Sequence, residues 1–159
     1  MPVKMNPLQT PSASLIRQYI QKMDETTVYR DQEEALNLLF NKLYPQNNEI
    51  TQILLKVSVL NDFYSTKIYG SYSVATHILS LRIDSRLSDG DPSLVDAIAR
   101  VPGKDGKERR NYSFASKYCA RHNREKFPIF DSYVEKLLSE YQRVDKFHEF
   151  AKPDLRDYP

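Results

Sequence analysis

Tyr112-Ser113-Phe114-Ala115-Ser116-Lys117-Tyr118-Cys119 and, after a short basic loop, Phe127-Pro128-Ile129-Phe130-Asp131-Ser132-Tyr133-Val134 decide how this chain reads. Tyr112, Ala115, Ser116 and Cys119 recur at helical spacing and describe the packed face of a helix. Lys117 lies close to that face, where a primary amine is partly desolvated and can serve as a nucleophile. Asp131 follows 14 residues later and precedes Tyr133, Val134, Leu137, Leu138 and Tyr141, a second helical pattern for which it is a natural N-cap. Arg121, Arg124 and Lys126 lie between. An amine, a carboxylate and a basic loop point to chemistry on a polyanion.

The helical period continues outward in both directions. Leu15, Ile16, Tyr19, Ile20 and Met23 form one stripe after an irregular start at residues 1–12 marked by Pro7 and Pro11. Asp31-Gln32-Glu33-Glu34 places acids at an expected helix N-terminus, followed by Leu36, Leu39, Phe40 and Leu43 and ended by Tyr44-Pro45. Asn47 or Asn48 is the expected cap of a strongly apolar helix with Ile50, Ile53, Leu54, Val57 and Leu60, whose residues spread around the wheel as in a core helix. Ser71 or Ser73 opens the next, and Asp89-Gly90-Asp91-Pro92 reads as a turn, an N-cap and an N1 proline feeding Leu94, Val95 and Ile98. Val57-Ser58-Val59 is the nearest approach to a strand, and it sits inside a helical pattern. The expectation is an all-α chain of seven or eight helices, one domain over residues 1–159, with 152–159 as a linker or truncated end.

At 159 residues the chain suits a single domain able to bury about two-thirds of its unfolded surface. The net charge of +2 is mild, but Arg100 to Lys126 carries nine bases against three acids, +6, leaving the remainder acidic. Such a patch either contacts phosphates or is simply a solvated face. One cysteine excludes an internal disulfide and a four-cysteine iron–sulfur cluster. Cys119 and His122 share a helical spacing, but two residues without a HExxH or CxxC pattern make no metal site, and neither metal nor cofactor is expected. His77 and His148 read as structural or surface histidines. No GxSxG, Walker-A or GxGxxG element occurs, which argues against a serine hydrolase, an NTPase and a dinucleotide enzyme. No run approaches 18 apolar residues and no signal-like segment opens the chain, so no membrane partner and a cytoplasmic location are expected.

Ile129-Phe130-Asp131-Ser132-Tyr133-Val134 resembles the aspartate-bearing helix start of the helix-hairpin-helix DNA glycosylases, the oxoguanine glycosylase and endonuclease III superfamily. Ser113-Phe114-Ala115-Ser116-Lys117-Tyr118-Cys119 resembles that family's lysine-bearing helix. Leu60-Asn61-Asp62-Phe63-Tyr64-Ser65-Thr66 resembles the end of its early helix. The resemblance spans roughly residues 50 to 142. Val101-Pro102-Gly103 stands for the family's hairpin turn but lies 14 residues before Lys117, farther than the family places it. The resemblance implies a compact helix-hairpin-helix glycosylase-like fold and a hydrolase of DNA repair. Lys117 would attack the sugar C1′ and form a Schiff base, and Asp131 would stabilise the developing sugar cation or relay a proton. Double-stranded DNA with a damaged base would be gripped by Lys104, Lys107, Arg109, Arg110, Arg121, Arg124 and Lys126. Tyr64, Tyr118 and Tyr133 would stack the flipped base; equally, these tyrosines fill the core edge of a chain without tryptophan. A monomer is expected. The alternative is a non-enzymatic all-helical module binding DNA or a protein, in which Lys117 is salt-bridged and Asp131 only a cap.

Overall fold

The computed structural model describes residues 8–103 and 106–156. Among them the chain forms α1 (Ala13–Glu25), α2 (Thr27–Asn37), a π-helical turn (Leu38–Leu43), α3 (Ile50–Tyr64), α4 (Ser71–Leu81), α5 (Asp84–Asp89) and α6 (Ser93–Ala99). Strands β1 (Arg100–Pro102) and β2 (Glu108–Arg110), helices α7 (Tyr112–His122) and α8 (Ser132–Asp145), and a 3-10 turn (Asp154–Arg156) complete it. The architecture is mostly helical, as the periodicity requires, with one small hairpin.

Helices α3, α4, α6 and α7 enclose the core. Ile53, Val57 and Leu60 of α3 meet Val74, Ala75 and Ile78 of α4, Leu94, Val95 and Ile98 of α6, and Phe114, Ala115 and Tyr118 of α7. Burying each large apolar side chain contributes about 2 kcal/mol of transfer free energy. Helix α7 is buried all round from Phe114 to Arg121, so its two cations lie in the interior. Helices α1 and α8 bury no residue completely and sit at the periphery.

Several boundaries differ from the sequence expectation for identifiable reasons. Helix α2 begins at Thr27, with Thr26 binding back to the Lys22 carbonyl at 2.8 Å, so the Asp31–Glu34 acids lie mid-helix. Its continuation widens into the π-turn that carries Phe40 into the core. The cap of α3 is Glu49, and Asn47 is buried elsewhere. Gly70 caps α4 in place of Ser71 or Ser73. Helix α6 starts at Ser93 with Pro92 in the cap position, one residue later than Asp91 as cap and Pro92 as first helical residue would place it, although the Asp91 carboxylate accepts from the Ser93 N–H at 3.0 Å. Val57-Ser58-Val59 is helical. Val101 and Pro102, expected in a turn, belong to strand β1 and only Gly103 follows it; β1 pairs antiparallel with β2, Val101 opposite Arg109. Gly90 closes α5 at φ 72°, where a Cβ would lie 2.9 Å from the Lys126 side chain.

Candidate active site

The loop between α7 and α8 is fixed from the α7 side. Ser116 Oγ donates to the Phe130 carbonyl at 2.8 Å and accepts from the Phe130 N–H at 3.1 Å, which sets the residue before Asp131. Phe127 is buried, and Asn123 Nδ2 donates to the Leu87 carbonyl at 2.9 Å. Asp131 is thereby held as the N-cap of α8. Its Oδ1 accepts from the Tyr133 and Val134 N–H groups at 3.0 and 3.1 Å, the capping role read from the sequence. Its Oδ2 accepts from Lys117 Nζ at 3.0 Å. One carboxylate therefore caps a helix and pairs with the buried amine.

Lys117 Nζ also donates to Ser113 Oγ at 2.8 Å and lies 5.4 Å from the centre of the Tyr64 ring. The Lys117 side chain is 5% exposed and that of Asp131 22%. Burial by itself raises the Asp131 carboxyl. The Val134 N–H, the Lys117 ammonium and the Tyr133 N–H outweigh it and hold the group below the usual carboxylate range.

Tyr64 joins this pair to a second one. Arg121 lies 5.4 Å from the centre of the same ring and donates to the Tyr64 hydroxyl. Its guanidinium grips Glu33 with two nitrogens, Nη1 at 2.9 Å, and Arg124 reaches the same carboxylate at 2.5 Å. Arg121 Nε is buried without a hydrogen-bond partner among the described residues. Burial raises the Glu33 carboxyl, and the two arginines overcome that and depress it. A cleft of about 500 Å³ opens beside these groups, walled by Tyr29, Leu36, Phe63, Tyr64, Phe127 and Ile129, with Gln32 and Glu33 at its polar side.

The remaining expected site residues are spread over the surface and core. Arg109 is exposed on β2. Arg110 pairs with Asp96 at 2.9 Å and lies 5.3 Å from the centre of the Tyr112 ring. Lys107 is exposed in the hairpin, Lys126 is exposed beside Gly90, and Lys104 lies outside the described residues. Arg121 is turned inward and neutralised by Glu33, while Arg124 is exposed. Of the three tyrosines only Tyr64 lines the cleft. Tyr118 is fully buried with its hydroxyl donated to Asn47 at 2.6 Å, and Tyr133 is 79% exposed on α8.

A polar hub that the sequence reading passes over lies beneath α7. Lys56, fully buried in α3, donates to the Tyr44 and Gln46 carbonyls at 3.0 and 2.9 Å and to Asn47 Oδ1 at 2.7 Å. Asn47 in turn donates to Asp84 from its backbone and side chain. Burial pushes Lys56 down to about 8 against the pull of Asp84, and burial plus the Lys56 charge push His122, 3.4 Å away, down to about 3. With every donor of Lys56 matched, the hub secures the chain that leaves the π-turn. Cys119 is buried and its thiol is pushed up to about 12, so it is not a ready thiolate. Among the described residues no three His, Cys, Asp or Glu side chains converge on a metal position, and no helix is long and apolar enough to cross a membrane.

Residues 15–126 match a family model described as the HI_0787_N N-terminal domain. A Haemophilus influenzae protein, described as an uncharacterized protein, is 44% identical over 110 residues, 69% of this chain and 54% of that protein. The chain thus spans about half the length of the curated relative it matches. No solved structure matches. The family segment takes in Tyr64, Lys117 and Arg121 and ends five residues before Asp131. By the extent of that match, the chain belongs to the HI_0787_N N-terminal domain family.

Proposed function

We propose that this protein is a DNA base-excision glycosylase with Schiff-base lyase activity, built on a helix-hairpin-helix glycosylase-like fold and acting as a cytoplasmic monomer on duplex DNA. The observation that carries the reading is the 3.0 Å contact of Lys117 Nζ with an aspartate whose other oxygen is fixed on the first-turn amides of α8. In the reaction, Lys117 passes a proton to Asp131 and its lone pair attacks C1′ of the lesion nucleotide. The glycosidic electron pair leaves with the base, which takes up a proton returned by Asp131. The adduct nitrogen then gives up one proton and its freed pair forms the C1′=N bond of the Schiff base, while the C1′–O4′ pair goes to O4′, which takes up that proton. The carboxylate, ionised again, faces the positive charge that develops on the sugar. A damaged base, cheapest to unstack, enters the cleft walled by Tyr64, whose ring adjoins Lys117.

A second reading rests on a specific observation. Lys117 is almost closed to solvent and its amine is engaged by Ser113 and Asp131, as in a structural ion pair of a non-enzymatic binding module. Borohydride reduction in the presence of duplexes carrying an abasic site or an oxidised base separates the two. The glycosylase reading expects a covalent protein–DNA adduct in the wild type and none in Lys117→Met. Absence of an adduct in the wild type on every such duplex supports the binding module.

A further inference from the structure

A cavity of about 770 Å³ lies between the α3–α4 loop and the β-hairpin, sharing no lining residue with the cleft beside Tyr64. Its walls each contribute one cation, Lys67 from the loop and Arg109 from β2. Among the described residues neither side chain has a hydrogen-bond or ion-pair partner. The neighbouring hairpin arginines behave differently: Arg100 is matched by Asp96 and Glu108, and Arg110 by Asp96. Two unmatched cations facing one cavity leave a local positive potential that an anion would neutralise.

Two further features mark the same place. Lys67 has φ 60°, a left-handed conformation that costs a lysine energy, and it has no capping role, because α3 already ends at Ser65. Tyr69, also lining the cavity, is 87% exposed, and its ring packs on no other aromatic ring or cation among the described residues. Beneath them the floor is apolar, with Ile68, Val74 and Val101 buried. Cations at the rim, a free aromatic face at the mouth and an apolar floor suit a phosphate joined to a flat ring.

We propose that this notch is a nucleic-acid contact separate from the Lys117–Asp131 pair, holding one phosphodiester between Lys67 and Arg109 with the adjoining base stacked on Tyr69. It deepens the DNA reading above and rests on its nucleic-acid part, not on its chemistry.

Fluorescence anisotropy of the full chain with a labelled single-stranded oligonucleotide and with a duplex, over a KCl series, tests it. Lys67→Gly removes the charge while accepting the left-handed backbone, so the variant folds. It should flatten the slope of log affinity on log salt by about 0.9 on the duplex and about 0.7 on the single strand. Tyr69→Ala deletes an exposed ring and should weaken single-strand binding about tenfold. Wild-type affinity and slope in both variants, with borohydride trapping intact, overturn this inference and leave the glycosylase reading standing. Saturable binding of inorganic phosphate in calorimetry without binding of either oligonucleotide assigns the notch to a free anion and overturns it too.

Discussion

Replacing Asp131 by Asn tests whether cap and ion pair are one unit. Asn is about as good an N-cap as Asp, so the bonds from Tyr133 and Val134 survive the change. With its oxygen on those amides, the Asn side chain turns its NH2 group toward Lys117. A buried ammonium then loses its carboxylate and faces a donor. Breaking a buried pair in this way costs about 3–5 kcal/mol. Because Asp131 is about one-fifth exposed, water recovers part of that cost, and about 2–3 kcal/mol is the expected loss. For a chain of this size that is roughly 4–12 °C in melting temperature. The expected double-mutant cycle with Lys117→Met shows coupling of about 2 kcal/mol, since the double variant buries no orphan charge. The Asp131 carboxyl is depressed in the folded state, so its contribution is present above the unfolded value near 3.8 and is lost as pH falls through the lower folded value. Urea unfolding of the four proteins at neutral pH is the assay. A loss in Asp131→Asn below about 0.5 kcal/mol, with no coupling to Lys117, would refute the argument that the carboxylate balances a buried charge.

The buried hub gives pH signatures of definite sign. His122 is held near 3 in the folded protein and has an ordinary value of 6.5, so stability should fall as pH drops from 6.5 toward 3, by about 1.4 kcal/mol per unit from this group; His122→Gln should flatten that arm of a urea-midpoint profile. Lys56 is lowered from 10.5 to about 8, so the folded state binds fewer protons between those values and stability should rise with pH across that window, a rise absent in Lys56→Met. Among the expected phosphate contacts, Arg109 is unmatched while Arg110 and Arg124 are ion-paired, so Arg109→Gln should flatten the salt dependence of duplex binding by about 0.9 and the other two by less; equal effects at all three positions would contradict this.

Local signals in the sequence carried the helical architecture and the α8 cap. Asp131 precedes an amphipathic run, and its capping bonds span only two and three residues, so neighbouring positions decide them. The hairpin left no such signal. Its strands are three residues each, one wholly exposed, so no alternation of apolar and polar residues marks them. The cap of α3 was misplaced because Asn47, a good capping residue by type, is drawn away by Lys56, Tyr118 and Asp84. Lys56 stands among the apolar residues of α3 in the sequence, and only the fold brings the Tyr44 and Gln46 carbonyls onto it. The same holds for Glu33, whose partner Arg121 is 88 residues away in the chain. Charge clustering from Arg100 to Lys126 indicated a basic surface, yet it could not separate Arg121, spent inside the fold, from Arg109, left open at the notch.

Peptide mapping of the borohydride-trapped protein identifies the residue that bonds to the sugar. After reduction with an abasic-site duplex and digestion of protein and DNA, mass spectrometry locates the remaining sugar adduct. The adduct is expected on Nζ of Lys117, with the yield reduced in Asp131→Asn. An adduct on another lysine, or none in a protein that binds the duplex, would contradict it.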